Sequence, residues 1–391
     1  MSAIFEEFID SWKSQALAHR SYATASSTNY NVILKLLRNV EYDMREDKGK
    51  LLLAGNQKEL RKCRLNNQDA ILIFKALVGT SIIHINVSYN RISYQGIACL
   101  AEYLKDKNCC VQHLNLCYND FGSAGAITLS EALQFNDSVD VLLMDGNKIG
   151  QDGGMQMASM LQVNSIITTL SLADTDLTTD CIIALSTILR ANQSITSIDL
   201  SNPLLHSHQE DTTCHIAQML EINKCLKELK LQKHGMTDYG AEMLCRFLKR
   251  NHALTKLDIS CNKLSRDGAG YIADLLRVNH HLRELNISFN RIEDEGIEQI
   301  SKVLAQSNFT LFKLNICSNS IGDKGLCKLA AAIRENPTVN TLYIWGNKLG
   351  TPTCDAFSQL LQSGILNQQC IDVRPYVVDG VNYLARIDNY S

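Results

Sequence analysis

A chain of 391 residues that is 45 % apolar and 20 % charged, with only four prolines and a formal net charge of −3, is a folded protein rather than a disordered one. No window carries the lysine and arginine density of a nucleic-acid footprint or a membrane-surface helix, so neither partner is expected. The longest apolar runs, such as Leu51 to Ala54 and Ile71 to Phe74, fall far short of the ~20 residues that cross a bilayer.

At the N-terminus, Glu6, Glu7 and Asp10 stand where a secretory signal needs a basic and then an apolar stretch, so no export is expected. Residues 1–57 read as an N-terminal helical cap. Phe5, Phe8, Ile9 and Trp12 share one helical face, a Ser/Thr/Ala-rich loop spans 23–28, and Ile33, Leu34 and Leu37 begin another helix.

From 58 to 365 the chain repeats the pattern L-x-x-L-x-L-x-x-N-x-L, clearest at Leu254/Leu257/Ile259/Asn262/Leu264 and Leu282/Leu285/Ile287/Asn290/Ile292. The asparagine position recurs at 68, 90, 119, 147, 175, 203, 234, 262, 290, 319 and 347, mostly in steps of 28 or 29, which predicts about eleven stacked copies. In each copy the L-x-L portion alternates like a short strand, and the segment after the asparagine has helical spacing, as in Leu326, Leu329 and Ile333. The predicted fold class is α/β: a leucine-rich-repeat horseshoe solenoid with a parallel concave sheet and convex helices. The recurring asparagine is expected to bond backbone amides of adjacent repeats. Asp152, Asp267, Asp294 and Asp323 are expected to serve free N–H groups at helix starts, and glycines such as Gly240, Gly268 and Gly325 to let neighbouring helices lie close. Five Asn-x-Ser/Thr triplets, beginning at Asn86, Asn136, Asn192, Asn286 and Asn308, read as accidents of the repeat.

Three central copies replace the asparagine with Thr175, Pro203 and His234. Proline has no amide hydrogen, so the middle is expected to be locally irregular, either a tolerated defect or a second partner site. The one long step holds His206, His208, Cys214 and His215. These residue types ligate zinc, but their place in a polar insertion favours a solvated loop, and no metal or cofactor is expected. Beyond the repeats, residues 366–391 read as a C-terminal β-hairpin cap, with Asp379-Gly380 between two β-favouring runs, covering the open sheet edge.

A repeat of this length with a full helix resembles the ribonuclease-inhibitor class of leucine-rich-repeat proteins, which also includes the GTPase-activating protein for Ran and the sensor ends of nucleotide-binding immune receptors. The resemblance covers roughly 58–365 and is specific for fold, not function. The run Asp372-Val-Arg-Pro-Tyr-Val-Val-Asp-Gly-Val-Asn-Tyr-Leu-Ala385 resembles the end of a narrower vertebrate family of such proteins. That implies a nuclear or nucleolar and cytoplasmic protein of germ and stem cells, active in differentiation, without enzymatic activity.

No Walker loop, H-E-x-x-H or G-x-S-x-G motif is present, so no enzyme is expected. The fourteen cysteines are scattered, with only Cys109 and Cys110 adjacent, which fits reduced thiols inside a cell. The expected function is a protein-interaction scaffold that binds one or more proteins and no small-molecule substrate. The alternative is activation of a GTPase, although the long acidic tail of the Ran-activating group is missing. Residues intervening between the core leucines face the concave side, and include Arg61, Lys62 and Arg64, then His84, Asn86 and Tyr89, His113, Asn115 and Tyr118, and later Phe289, Tyr343 and Trp345. Aromatics give much contact area for little lost entropy, so Tyr89, Tyr118, Phe289, Tyr343 and Trp345, with His84 and His113, are the candidate partner-binding residues. Tyr343 and Trp345 lead, unless the C-terminal cap covers them. Charges on this face are mixed, so inhibition of a basic ribonuclease is not carried over. Asn86, Asn115, Asn286 and Asn315, with Asp199 and Asp258, form either a binding stripe or a by-product of duplication.

Overall fold

The computed structural model describes residues 9, 10, 13, 14, 41–43, 48–205 and 210–387. They divide into two compact units, Met1–Ile188 with Ser194–Asp199, and Leu189–Gln193 with Leu200–Ser391. The expected helical positions Phe5, Phe8, Trp12, Ile33, Leu34 and Leu37 lie outside the described residues.

In the first unit, β1 (Glu41–Asp43) runs antiparallel to β2 (Lys48–Leu52). Parallel strands follow in chain order: β3 (Ile82–Asn86), β4 (His113–Asn115), β5 (Val141–Leu143), β6 (Thr169–Ser171) and β7 (Ser197–Asp199). Helices α1 (Asn67–Ala76), α2 (Tyr94–Leu104), α3 (Gly122–Leu133), α4 (Gly150–Val163) and α5 (Thr179–Leu189) alternate with them. The second unit begins with α6 (Asp211–Ile222) and alternates β8 (Glu228–Lys230), α7 (Asp238–Leu248), β9 (Lys256–Asp258), α8 (Arg266–Val278), β10 (Glu284–Asn286), α9 (Glu293–Gln306), β11 (Lys313–Asn315), α10 (Asp323–Glu335), β12 (Thr341–Tyr343) and α11 (Thr351–Gln362). Each unit is therefore a leucine-rich-repeat solenoid. Six parallel strands in the first and five in the second make the eleven that the period predicts.

The central residue of each three-residue strand forms the core. Leu114, Leu142 and Leu170 in the first unit, and Leu229, Leu285 and Leu342 in the second, are at most 2 % exposed. In-register pairing stacks them one above the next, each burial stabilising by roughly 1.5–3 kcal/mol.

The first copy sits earlier than expected. Strand β2 falls inside the 1–57 segment read as a helical cap, so the asparagine position of its copy is Asn56. Gln68 belongs to α1, which Asn66 starts with a reciprocal capping box to Asp69. Arg61 and Lys62 lie in turns and Arg64 beyond them, not on a strand.

Two asparagine ladders hold the copies together. In the expected one, Asn119 Nδ2 donates to its own Leu116 carbonyl and to the Val87 carbonyl one copy back, at 2.9 and 3.0 Å, while its Oδ1 accepts from Ile92 N–H. Asn90, Asn147, Asn262, Asn290, Asn319 and Asn347 donate in the same way. The second ladder closes the helices. Asn136, Asn164, Asn223, Asn251, Asn279, Asn308 and Asn336 donate to the last carbonyls of the preceding helix and accept from amides two and three residues on. The triplet asparagines Asn136 and Asn308 are thus buried structural groups.

The starts of α8, α10 and α11 are served by an acid of the preceding copy rather than by their own. Asp238 Oδ1 accepts from Ser265 and Gly268 N–H, Asp294 Oδ1 from Gly322 and Gly325 N–H, and Asp323 Oδ1 from Gly350 and Thr353 N–H. Asp152 and Asp267 stand exposed in their first turns without this role. A Cβ at Gly325 would come within 2.7 Å of Asp294 Oδ1, so the recurring glycine makes room for the neighbour's carboxylate. Replacing Asp294 by Ala should cost about 1–2 kcal/mol, the range of a lost N-cap, read as a lower urea midpoint. A change within the noise would show that water replaces the carboxylate.

The central irregularity is smaller than expected. Register is kept from β5 through β7, with Leu142, Leu170 and Ile198 paired in turn. Thr175 Oγ donates to Leu172 O, the bond within its own copy, and His234 Nε2 donates to Leu200 O at 2.9 Å, the bond to the copy before. Thr175 and His234 thus each keep one of the asparagine's donor bonds, whereas Pro203 has no donor to offer.

At the C-terminus, β13 (Val373–Val378) and β14 (Val381–Arg386) form the hairpin, with Asp379 and Gly380 both at positive φ in its two-residue turn. The hairpin is a separate two-stranded sheet lying against α11, to which Asn382 donates through Asp355. The edge of β12 is covered instead by the segment leading into the hairpin. Ile371 bridges Leu342, and the Asp372 carboxylate accepts from Ile344 and Trp345 N–H, leaving fewer free amides for a stray strand.

Candidate functional site

The strand face is built from alternation. Residues flanking each buried leucine project from the sheet, and the residue immediately before the ladder asparagine turns the chain out with positive φ. That exit position is Tyr89, Tyr118, Gly146 and Asp174 in the first unit, and Asn202, Lys233, Cys261, Phe289, Ser318 and Gly346 in the second. The exit backbone is held by the next copy, as where Tyr118 N–H donates to Asp145 O.

The structure places the candidate residues in two groups. His84 and His113 occupy matching positions on β3 and β4, with ring centroids 5.4 Å apart. Tyr89 and Tyr118, read as strand residues, are exit residues. Their rings stack at 4.5 Å and 16°, and Tyr118 is 42 % exposed. Phe289 is likewise an exit residue, 58 % exposed. Tyr343 lies on β12, half-buried, with Lys313 Nζ 5.3 Å from its ring centre. Trp345 follows it, half-buried, its amide held by Asp372, so the C-terminal segment ties its backbone without burying the ring. The four residues of the first unit form two ring pairs, His84 with His113 and Tyr89 with Tyr118, and Phe289, Tyr343 and Trp345 belong to the second.

In the second unit the face forms a hollow of about 320 Å³ lined by Lys256, Asp258, Glu284, Asn286, Lys313 and Tyr343, among others. Its charges interleave. Lys256 lies 3.3 Å from Glu284 and 3.8 Å from Glu228, and Glu228 also pairs with Lys230. Each pair is partly exposed and contributes little to stability, but the alternation cancels any strong field. The asparagine stripe has a local task. Oδ1 of Asn86, Asn115, Asn286 and Asn315, and Oδ1 of Asp258, each accept from the amide two residues on, at 2.9–3.1 Å, which turns the chain out of the strand. This turn is a structural task shared by five of the six stripe residues, all but Asp199.

Sequence reasoning missed Val141 and Leu143 on β5, half-exposed where neighbouring strands carry His113 and Asn115 or Thr169 and Ser171. Apolar residues on both sides of Leu142 hide the alternation. It also missed Asp145, which accepts from Ser171 Oγ and Ala173 N–H. Burial raises its carboxyl above the ordinary range, the Ser171 bond opposes this, and Asp199 adds to the rise. Beside it, burial first and Asp145 second push the Cys117 thiol up to about 12, which keeps it protonated and unreactive.

Of the loop cluster, His206 and His208 lie outside the described residues. Among the described residues no group of three or more histidine, cysteine or acidic side chains is placed to hold a metal, and no helix is long and apolar enough to cross a membrane.

A family model described as "Leucine Rich repeat" matches residues 107–130, 223–245, 250–273, 278–301 and 307–330. "Leucine-rich repeat-containing protein 34" of Homo sapiens is 46 % identical over 189 residues, covering 48 % of this chain and 41 % of the relative. The Rattus norvegicus and Mus musculus proteins of that name are each 42 % identical over 189 residues, covering 48 % of this chain and 46 % of the relative. The match thus spans less than half the length of these curated relatives. Similar solved structures include "Leiomodin-1 Actin-Binding Site 2 (ABS2)", with a TM-score of 0.34 and 21 % identity over 40 % of this chain and 89 % of that one. Another is the tropomodulin C-terminal domain of Caenorhabditis elegans, with a TM-score of 0.34 and 14 % identity over 40 % and 92 %. The chain carries leucine-rich repeats and is similar over about half its length to Leucine-rich repeat-containing protein 34.

Proposed function

We propose that this chain is a non-enzymatic interaction module whose strand face receives one or more partner proteins. The observation that carries this reading is the set of aromatics at strand exits: Tyr118 and Phe289 are 42 % and 58 % exposed in a backbone conformation that bulky residues rarely adopt. Other exits carry Gly146, Lys233, Cys261, Ser318 and Gly346, so the turn itself does not require an aromatic. All fourteen cysteines are free thiols, which supports work in a reducing compartment. A nuclear or nucleolar role in germ or stem cells, and a part in differentiation, follow from the resemblance of Asp372 to Ala385.

Affinity purification from cells with the wild type, Tyr118→Ala and a Tyr343→Ala/Trp345→Ala double variant tests the reading. Truncating a central aromatic anchor costs about 2 kcal/mol or more, so each variant should lose partners that the wild type retains. Identical partner lists from all three would remove these residues from the docking surface.

A further inference from the structure

Three features meet on the first unit's strand face between β3 and β6. The first is the stacked tyrosine pair at two successive exits, Tyr118 being 42 % exposed. Gly146 accommodates it, because a Cβ there would collide with the Tyr118 ring. The second is the half-exposed apolar spot of Val141 and Leu143 on β5.

The third is charge. The strand-and-exit stretches 113–120, 140–148 and 168–176 hold five aspartates, Asp120, Asp140, Asp145, Asp174 and Asp176, against one lysine, Lys148. The second unit's hollow interleaves Glu228, Lys256, Glu284 and Lys313 instead, so the acidic excess distinguishes these stretches from that hollow. Asp174 and Asp145 lie close enough to Tyr118 that both, after burial and the neighbouring Tyr89, raise its phenol.

We infer that this face receives an arginine-bearing segment of a partner protein, with the guanidinium against the exposed Tyr118 ring, its charge facing Asp145 and Asp174, and its aliphatic stem over Leu143 and Val141. The inference rests on the reading of the strand face as a docking surface and adds the chemistry of the occupant. Arginine fits better than lysine because its planar, weakly hydrated head stacks on an aromatic ring while its edge pairs with carboxylates. A lysine ammonium is a compact hydrated charge that gains less from the ring.

The test titrates fluorescent nona-arginine, nona-lysine and nona-glutamate peptides against the full chain by anisotropy, with Tyr118→Ala, Tyr118→Phe and Asp174→Asn variants beside the wild type. The arginine peptide should bind tightest and the glutamate peptide not at all. Tyr118→Ala and Asp174→Asn should each weaken arginine binding by about fivefold, the scale of one cation–π or partly exposed charge contact. Tyr118→Phe keeps the ring and should retain it. Equal arginine affinity in all four proteins, or equal lysine and arginine affinity, overturns the proposal. If Tyr118→Ala loses cellular partners while the wild type binds no arginine peptide, the arginine chemistry falls and the docking reading stands.

Discussion

Acidification from pH 7 to pH 4 should cost the second unit about 3 kcal/mol through His234 alone. The side chain is 7 % exposed, and Nδ1 has no hydrogen-bond partner among the described residues. Burial lowers its pKa from 6.5 to about 4, against a smaller opposing effect of the Leu200 carbonyl. In the unfolded chain the imidazole takes a proton near pH 6.5, whereas the folded chain resists until about pH 4. Stability is therefore complete above pH 6.5 and falls as the pH drops toward 4. His234→Asn restores the ladder residue found at Asn262 and Asn290, with two donors and no titration. Urea unfolding of both proteins at about pH 7.5 and about pH 4.5 should give curves that diverge in acid, with the variant retaining more stability. Parallel losses would mean that His234 does not carry the acid response.

Asn308→Ala should cost about 3–5 kcal/mol, because each buried polar group left unpaired costs roughly 1–3 kcal/mol. Asn308 is fully buried. Its Nδ2 donates to Leu276 O at 2.8 Å and Asn279 O at 3.2 Å, and its Oδ1 accepts from Thr310 and Leu311 N–H. Leu276 O is among the last carbonyls of α8, which have no partner within the helix. Alanine supplies neither donor nor acceptor. Because each copy leans on its neighbours, the loss should spread to the copies on both sides. A thermal or urea shift worth less than about 1 kcal/mol would show that water repairs the gap.

The repeat period, the strand-then-helix order and the strand-exit ladder were all legible in the sequence, because stacking repeats the same local chemistry every 28 or 29 residues. The first copy was misplaced because Leu51, Leu52 and Leu53 are continuous, and a run without alternation does not announce which residue faces the core. The helix-end ladder did leave a signal. An asparagine stands three residues before the first core position in Asn223 to Leu226, Asn251 to Leu254 and Asn308 to Leu311. Asp294 and Asp323 were assigned to their own helices since an acid in the first turn is the local expectation, whereas their true partners appear only once copies stack. The site was less legible for the same reason. Alternation carries Tyr89, Tyr118 and Phe289 onto strands, but their positive φ follows from hydrogen bonds to the next copy.

Photo-cross-linking of the full chain with its captured partners addresses the central claim most directly. A photoreactive phenylalanine at Asn115 or Glu284, on the strand face, is compared with one at Glu131 or Lys302, exposed on helices. Partner adducts should form from positions 115 and 284 and be absent from 131 and 302. Adducts confined to the helix positions would place the working surface on the opposite face and contradict the account.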